Sequence, residues 1–210
     1  MASSNLVFVV IIIIILLIHQ LYKRFISKRK VTQIELIGDK PVEFNEKYTY
    51  SSSYLRELKT QDHNIPGSGH GFTLEFEIEI KNIPSNRLWQ SSYDKLKPIM
   101  KFNYSPNVYY HPKDNYLDIV FNYQDNSYFE NYKHIKISDI PIQRWNHIVI
   151  RCDNRDIVIY LNQEVVDVVK LPNVPKLKKR QIQLGEKNNN FLGKIKNLRY
   201  YDQPIDIPLT

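Results

Sequence analysis

Cysteine occurs once in the 210 residues, at Cys152. A single thiol excludes an intrachain disulfide framework, and it excludes a thiolate zinc site, which needs two or more cysteines at short spacing. Nothing in the chain therefore calls for an oxidising compartment. Glycine and proline are modest at 6 and 11, so the compositional bias of linkers and fibrous chains is absent. Gly67-Ser-Gly69-His-Gly71 lacks the Lys and the following helix that a phosphate-binding loop needs. Alanine also occurs once, at Ala2, while Ile, Asn, Lys and Tyr abound. That bias is what AT-rich codons deliver and suggests a viral or protist genome. Against these shortages stand 42% hydrophobic and 12% aromatic residues, enough for one core of ordinary size plus an appendage.

The first thirty residues contain no Asp or Glu. Ala2 to Tyr22 are 21 residues without a formal charge, and Leu6 to Ile18 form an unbroken apolar run of 13. At 1.5 Å per residue the uncharged stretch reaches about 31 Å, against about 30 Å for a bilayer core. A cleaved secretory signal would need a basic start and a small-residue cleavage site, and neither is present. The expectation is one uncleaved transmembrane helix over 1–22. A basic juxtamembrane segment over 23–30 comes next, carrying Lys23, Arg24, Lys28, Arg29 and Lys30. The positive-inside rule then puts the C-terminal domain on the cytosolic side of a lipid bilayer whose anionic headgroups attract the cluster. The sole glycosylation sequon, Asn103-Tyr104-Ser105, is followed by Pro106, a context that acceptor sites avoid.

Without those five cations, residues 31–210 hold 24 Lys and Arg against 22 Asp and Glu. So nearly neutral a domain, with one remaining cluster at Lys176, Lys178, Lys179 and Arg180, lacks the basic face that nucleic acid requires.

Beyond residue 70 the dominant period is two. Phe72, Leu74, Phe76, Ile78 and Ile80 alternate with Thr73, Glu75, Glu77 and Glu79, the pattern of a half-buried strand. Further strands are predicted at Leu117–Tyr123, His134–Ile137, His147–Cys152, Ile157–Leu161, Val165–Val169, Gln181–Leu184 and Gly193–Tyr200, with Val31–Ile37 as a first strand and a short helical turn at Tyr54–Lys59. Asp153 to Asp156 reads as a four-residue turn closing a hairpin, and Asn162-Gln163 as the next reversal. Short strands at this spacing mean an all-β antiparallel sandwich or barrel.

Trp145-Asn-His-Ile-Val-Ile, then Ile157-Val-Ile-Tyr-Leu-Asn-Gln-Glu, then Gln183-Leu-Gly185, then Phe191-Leu-Gly193 running on to Tyr201-Asp202, succeed one another in order. In that order and spacing the chain resembles the laminin-G-like branch of the concanavalin A-like lectin/glucanase superfamily. The opening Phe72-Thr-Leu-Glu-Phe fits as well. The resemblance is strongest over 142–202 and departs at Gln163, where the family usually has Gly. It implies a concanavalin A-like jelly-roll β-sandwich over 31–210, and it specifies fold far better than ligand, because the fold hosts lectins, hydrolases and adhesive modules.

The superfamily's glucanases carry a Glu-x-Asp-x-x-Glu strand, which this chain lacks. Glu75, Glu77 and Glu79 share one strand face, as the solvent side of any sandwich strand would. No catalytic residue and no cofactor is assigned, and no His spacing indicates a metal. Calcium at the sandwich rim, which several members of the superfamily bind, is left open, with oxygens from Asp153, Asn154 and Asp156 or from Asn188 to Asn190. Cys152 and Trp145 read as packed core residues. Between Phe102 and Tyr132 aromatics are dense, and ring faces beside Asn and Asp suit sugar rings or a protein interface. The candidate ligand-binding residues are Trp89, Tyr109, Tyr110, Asn188 and Asn189. The reading is a single-pass, membrane-anchored, non-catalytic binding or scaffold module, with a virion membrane of a large DNA virus as one setting and a protein or glycan as partner. A surface-displayed lectin is the alternative, and a glycoside hydrolase of the glucanase branch the second.

Overall fold

The computed structural model describes residues 12, 14–20, 33–51, 71–81, 94–102, 105–123, 131–176, 181–187 and 192–206. The chain divides into two compact units, Met1–Val31 and Thr32–Thr210. In the first, residues 14–20 are helical and Ile14, Ile15, Leu16, Leu17 and Ile18 are exposed. Among the described residues no helix is long and apolar enough to cross a membrane. Most of the span expected over 1–22, and all of the basic segment over 23–30, lie outside the described residues.

The second unit is all-β and antiparallel. Its strands are β1 (Gln33–Glu35), β2 (Val42–Glu43), β3 (Tyr48–Ser51), β4 (Gly71–Ile80), β5 (Lys97–Phe102), β6 (Asn107–His111), β7 (Tyr116–Tyr123), β8 (Asn131–Ser138), β9 (Trp145–Asp153), β10 (Asp156–Leu161), β11 (Glu164–Lys170), β12 (Gln181–Leu184) and β13 (Gly193–Tyr201). They form a seven-stranded sheet in the order β1-β13-β4-β9-β10-β11, with β2 also paired to β13, and a six-stranded sheet in the order β3-β12-β5-β6-β7-β8.

The alternation that marked β4 in the sequence is what buries it. Phe72, Leu74, Phe76, Ile78 and Ile80 are fully buried, each contributing roughly 1.5–3 kcal/mol of apolar burial. Facing them from the six-stranded sheet are Met100, Val108, Leu117, Ile119, Phe121, Ile135 and Leu184, all part of the same cluster. Two short turns carry the β9–β10–β11 meander. Asp153 pairs with Asp156 across Asn154-Arg155, so the loop is two residues rather than the four expected, with Asn154 at φ 55°. Asn162 and Gln163 both have positive φ, 51° and 74°, the arrangement that matches the twist of a tight hairpin. Gly185 is required as glycine: at φ +60° a Cβ would stand 2.3 Å from the carbonyl oxygen of Glu46.

Three expectations are corrected. The first strand is Gln33–Glu35, shorter than Val31–Ile37. Strands β5 and β6 were not predicted. Pro98 and a register shift between Pro98 and Met100 interrupt the period of two in β5, and β6 is only five residues. Trp145 is half-buried rather than core, because it pairs with Glu79, whose side of β4 faces away from the sandwich interior. The helical turn expected at Tyr54–Lys59 lies outside the described residues.

Candidate functional site

Along β7, Leu117, Ile119 and Phe121 enter the core, so Tyr116, Asp118, Val120 and Asn122 point to the outer face of the six-stranded sheet. An outer face is normally wet, yet Asp118, Val120 and Asn122 are only 2%, 6% and 2% exposed. The register explains part of this. Asp118 stands opposite Tyr109 of β6 on one side and Lys136 of β8 on the other, so a short side chain lies between two long ones. Val120 lies likewise between Asn107 and His134. The outward side of β7 is thus a largely buried strip between β6 and β8.

This strip is polar at both ends. Asp118 holds His134 through Nδ1, 2.9 Å from Oδ2 and 3.2 Å from Oδ1, and the imidazole itself is half exposed. Asn122 Oδ1 is buried without a hydrogen-bond partner among the described residues, while the Asn122 backbone is tied down by Ser105, whose Oγ accepts from Asn122 N at 2.7 Å and donates to Asn122 O at 2.9 Å. Around the strip, Lys101 Nζ lies 5.9 Å from the Tyr109 ring centroid and Lys136 Nζ 4.8 Å from that of Tyr116, distances at which an ammonium is attracted to a ring face. The other face of Tyr116 stacks on His111 at 4.8 Å. Burial first, then the charges of Asp118 and Glu186, push the Tyr109 phenol above its ordinary range, so Tyr109 offers a neutral hydroxyl.

The outer face of the seven-stranded sheet carries the alternative chemistry. Glu75 accepts from Tyr201 Oη at 2.9 Å, lies 3.0 Å from His147 Nε2 and pairs with Arg199 at 3.7 Å. Glu77 pairs with Lys196 at 3.2 Å and accepts from Asn197 Nδ2 at 2.6 Å. The His147 hydrogen bond holds the Glu75 carboxyl below its usual range, with Tyr201 and Arg199 adding to it against the opposing pull of burial. A glycosidase acid needs its carboxyl raised, so these contacts suit cross-strand pairing rather than proton donation.

Of the candidate ligand-binding residues, Tyr109 stands on β6 opposite Asp118, on the outer face. Tyr110 does not: alternation turns it inward, where it is 2% exposed and donates to Asn115 Oδ1 at 2.9 Å, and burial pushes its phenol up to about 12. Trp89, Asn188 and Asn189 lie outside the described residues. No group of three His, Cys, Asp or Glu that could hold a metal occurs among the described residues. Of the oxygens considered for calcium, Asp153 bonds Asn154 Nδ2 at 3.2 Å and lies 3.6 Å from Arg151, and Asp156 lies 3.9 Å from Lys170. Cys152 is fully buried, its thiol pushed up to about 12 chiefly by burial, as a packed residue should be. Asp118 and His134 were missed. The available signal was one carboxylate on the outward side of the otherwise apolar run Leu117–Phe121, a position that an all-β reading treats as solvent.

Two antiparallel sheets closed over one core define a lectin-like jelly-roll sandwich. The chain belongs to the concanavalin A-like lectin/glucanases superfamily, whose laminin-G-type model matches residues 53–206. No curated protein matches it in sequence. Among solved structures it is similar to the receptor binding domain of botulinum neurotoxin D, at 11% identity and a TM-score of 0.58, covering 85% of this chain and 44% of that one. It is also similar to the binding domain of botulinum neurotoxin DC, solved in complex with SialylT (14% identity, TM-score 0.55, 84% and 44% covered) and in complex with rat synaptotagmin II (13%, 0.55, 84% and 44%). The chain spans less than half the length of these structures, and at such identities the likeness is one of fold.

Proposed function

We propose that this protein is a non-catalytic binding module that takes a glycan or protein ligand on the outer face around β7, displayed behind an N-terminal membrane anchor. The observation that carries the reading is Asp118, a carboxylate 2% exposed on the outward side of a sheet, held by one half-exposed histidine. A carboxylate buried on an outward face costs stability unless it is paired, and its partner among the described residues, His134, is itself half exposed. The complexes of the similar neurotoxin binding domains, with SialylT and with synaptotagmin, support a glycan or a protein as the class of ligand. The depressed Glu75 carboxyl supports a non-catalytic role, and the uncharged stretch from Ala2 to Tyr22 supports the anchor.

The test uses the full chain in nanodiscs against a glycan panel, with methyl-labelled side chains to map where ligand binds. Binding that perturbs Ile119, Val120 and Ile135, is lost in Asp118→Ala and persists in Glu75→Gln is the expected result. Ligand turnover, or binding unchanged in Asp118→Ala, would overturn it.

A further inference from the structure

Among the described residues the two sheets end on four strands, and three of these are guarded. β1 and β3 are only three and four residues long. β8 carries exposed Lys133 and Lys136, with Lys133 set opposite the core residue Phe121. Short edges, lysines and inward-pointing charges all discourage a further strand. The fourth edge, β11, is seven residues long and reads Glu-Val-Val-Asp-Val-Val-Lys. Its exposed valines, Val165, Val166 and Val168, adjoin Val158 and Tyr160 of β10, which are themselves only half-buried. The phase of the ladder is set as well. Leu171 N donates to Arg155 O at 2.7 Å, and Ile157 pairs with Val169. By the alternation of antiparallel pairing, Val168 and Lys170 then turn their N–H and C=O groups to the open edge.

We infer that β11 is the contact of a two-fold dimer, in which β11 of a second copy pairs antiparallel with it about Val168. On the two-fold, the backbone of Val168 exchanges both of its edge hydrogen bonds with Val168 of the second copy, and Lys170 lies across from Val166. Within each copy Val168 stands opposite Val158. The outer face therefore gains an unbroken row of four valines, two from each copy, and such β-branched cross-strand pairs stabilise a sheet. Charge selects a second copy and its direction. The strand begins with Glu164 and ends with Lys170, so antiparallel copies bring unlike ends together, where parallel copies would set like beside like. The nearly neutral domain, with 24 Lys and Arg against 22 Asp and Glu over residues 31–210, adds little repulsion. The ladder is short. Pro172, which has no N–H, closes one end, and the bulge between Ile159 and Tyr160 deflects the other. Asp167, opposite Ile159, meets Val169 of the second copy and loses water there, which keeps the pairing reversible. The contact is independent of the ligand site around β7, a strand of the other sheet.

The experiment is cysteine cross-linking of the full chain in phosphatidylcholine liposomes, where the native Cys152 is fully buried and does not compete. The pairing puts the two Val168 Cα atoms about 5.5 Å apart, within disulfide range. The two Val165 Cα atoms, equally accessible but each three residues from the two-fold, lie about 20 Å apart. Val168→Cys is therefore expected to give a disulfide-linked dimer under mild oxidant, and Val165→Cys to stay unlinked. Sedimentation equilibrium of the full chain in detergent reads the affinity. Val168→Lys, a change at an exposed position that should leave the thermal melt in place, is expected to weaken association by about ten-fold or more. Asp167→Asn is expected to strengthen it about three-fold or more. Equal linking at positions 165 and 168, or association untouched by Val168→Lys, would overturn the dimer and move the contact elsewhere on the chain. A monomer with Val168→Cys unlinked would overturn it too. If the Val168 amide of that monomer resists hydrogen exchange, the occupant of the edge is a segment of the same chain.

Discussion

At the scale of single residues, the contrast between Asp118 and Glu75 decides which outer face is the candidate site. Both are carboxylates on the outward side of a strand and both touch a histidine. Glu75 is surrounded by three partners on three neighbours, His147, Tyr201 and Arg199, so its bonds are spent within the sheet. Among the described residues Asp118 has one partner of that kind. The Glu75 arrangement carries a pH signature. Its carboxyl lies below its ordinary range in the folded protein, so the stability it contributes is fully present above the unfolded value of about 4.3. That contribution is lost as pH falls through the lower, folded value. Glu75→Gln is expected to lower unfolding free energy by about 1–2 kcal/mol at neutral pH. The gap from the parent chain should close as the medium is acidified below pH ~4. Urea unfolding at several pH values measures it, and parallel pH profiles for the two proteins would refute the assignment.

At the scale of elements, legibility followed the purity of the period. β4 alternates apolar and polar residues from Phe72 to Ile80, and its bounds, like those of β7 and of β9 to β13, follow from the sequence within one or two residues. β5 was lost because Pro98 and a bulge break its alternation, and with it went the register that would have turned Tyr109 outward and Tyr110 inward. The burial of Asp118 was illegible for a related reason. A period of two says which side of a sheet a residue is on, but the register that sets Asp118 between Tyr109 and Lys136 joins three strands, and that pairing is not written in any one segment. The exposed edge at β11 shows the same dependence on neighbours. Val165, Val166 and Val168 are 51%, 41% and 65% exposed, and an edge so apolar invites pairing with another chain. The bulge between Ile159 and Tyr160, and Asp167 set opposite the core residue Ile159, are the devices that blunt such edges.

The β10–β11 turn places a residue with a side chain where the backbone favours glycine, and that has a measurable cost. Gln163 is held at φ 74°, a region costing a side-chain-bearing residue of this kind roughly 1 kcal/mol that glycine avoids. Gln163→Gly is therefore expected to stabilise the domain by about 0.5–1 kcal/mol, raising Tm by roughly 1–4 °C for a domain of this size. A thermal melt checks it. A fall in Tm would mean that the Gln163 side chain contributes more than its backbone costs.

At the scale of the whole molecule, the proposed anchor can be tested by asking on which side of a membrane the domain lies, and the native sequon is a poor reporter of it. Ser105 is 4% exposed with its hydroxyl bound to the Asn122 backbone, and Pro106 comes directly after it, so an unmodified Asn103 is expected in either orientation. A usable reporter has to sit on an exposed turn. Asp156→Thr converts Asn154-Arg155 into an acceptor at the β9–β10 turn, where Asn154 is exposed, for the loss of only a 3.9 Å contact with Lys170. Five cations in the eight residues from Lys23 to Lys30 oppose translocation of the domain downstream of them. The variant made in the presence of sealed microsomes is therefore expected to stay unmodified, and a C-terminal tag on it to be digested without detergent. A mass increase removed by glycosidase, together with a tag protected until detergent is added, would place the domain on the luminal side. The basic flank would then have been overridden, and a lectin facing outward would become the better description of the same site.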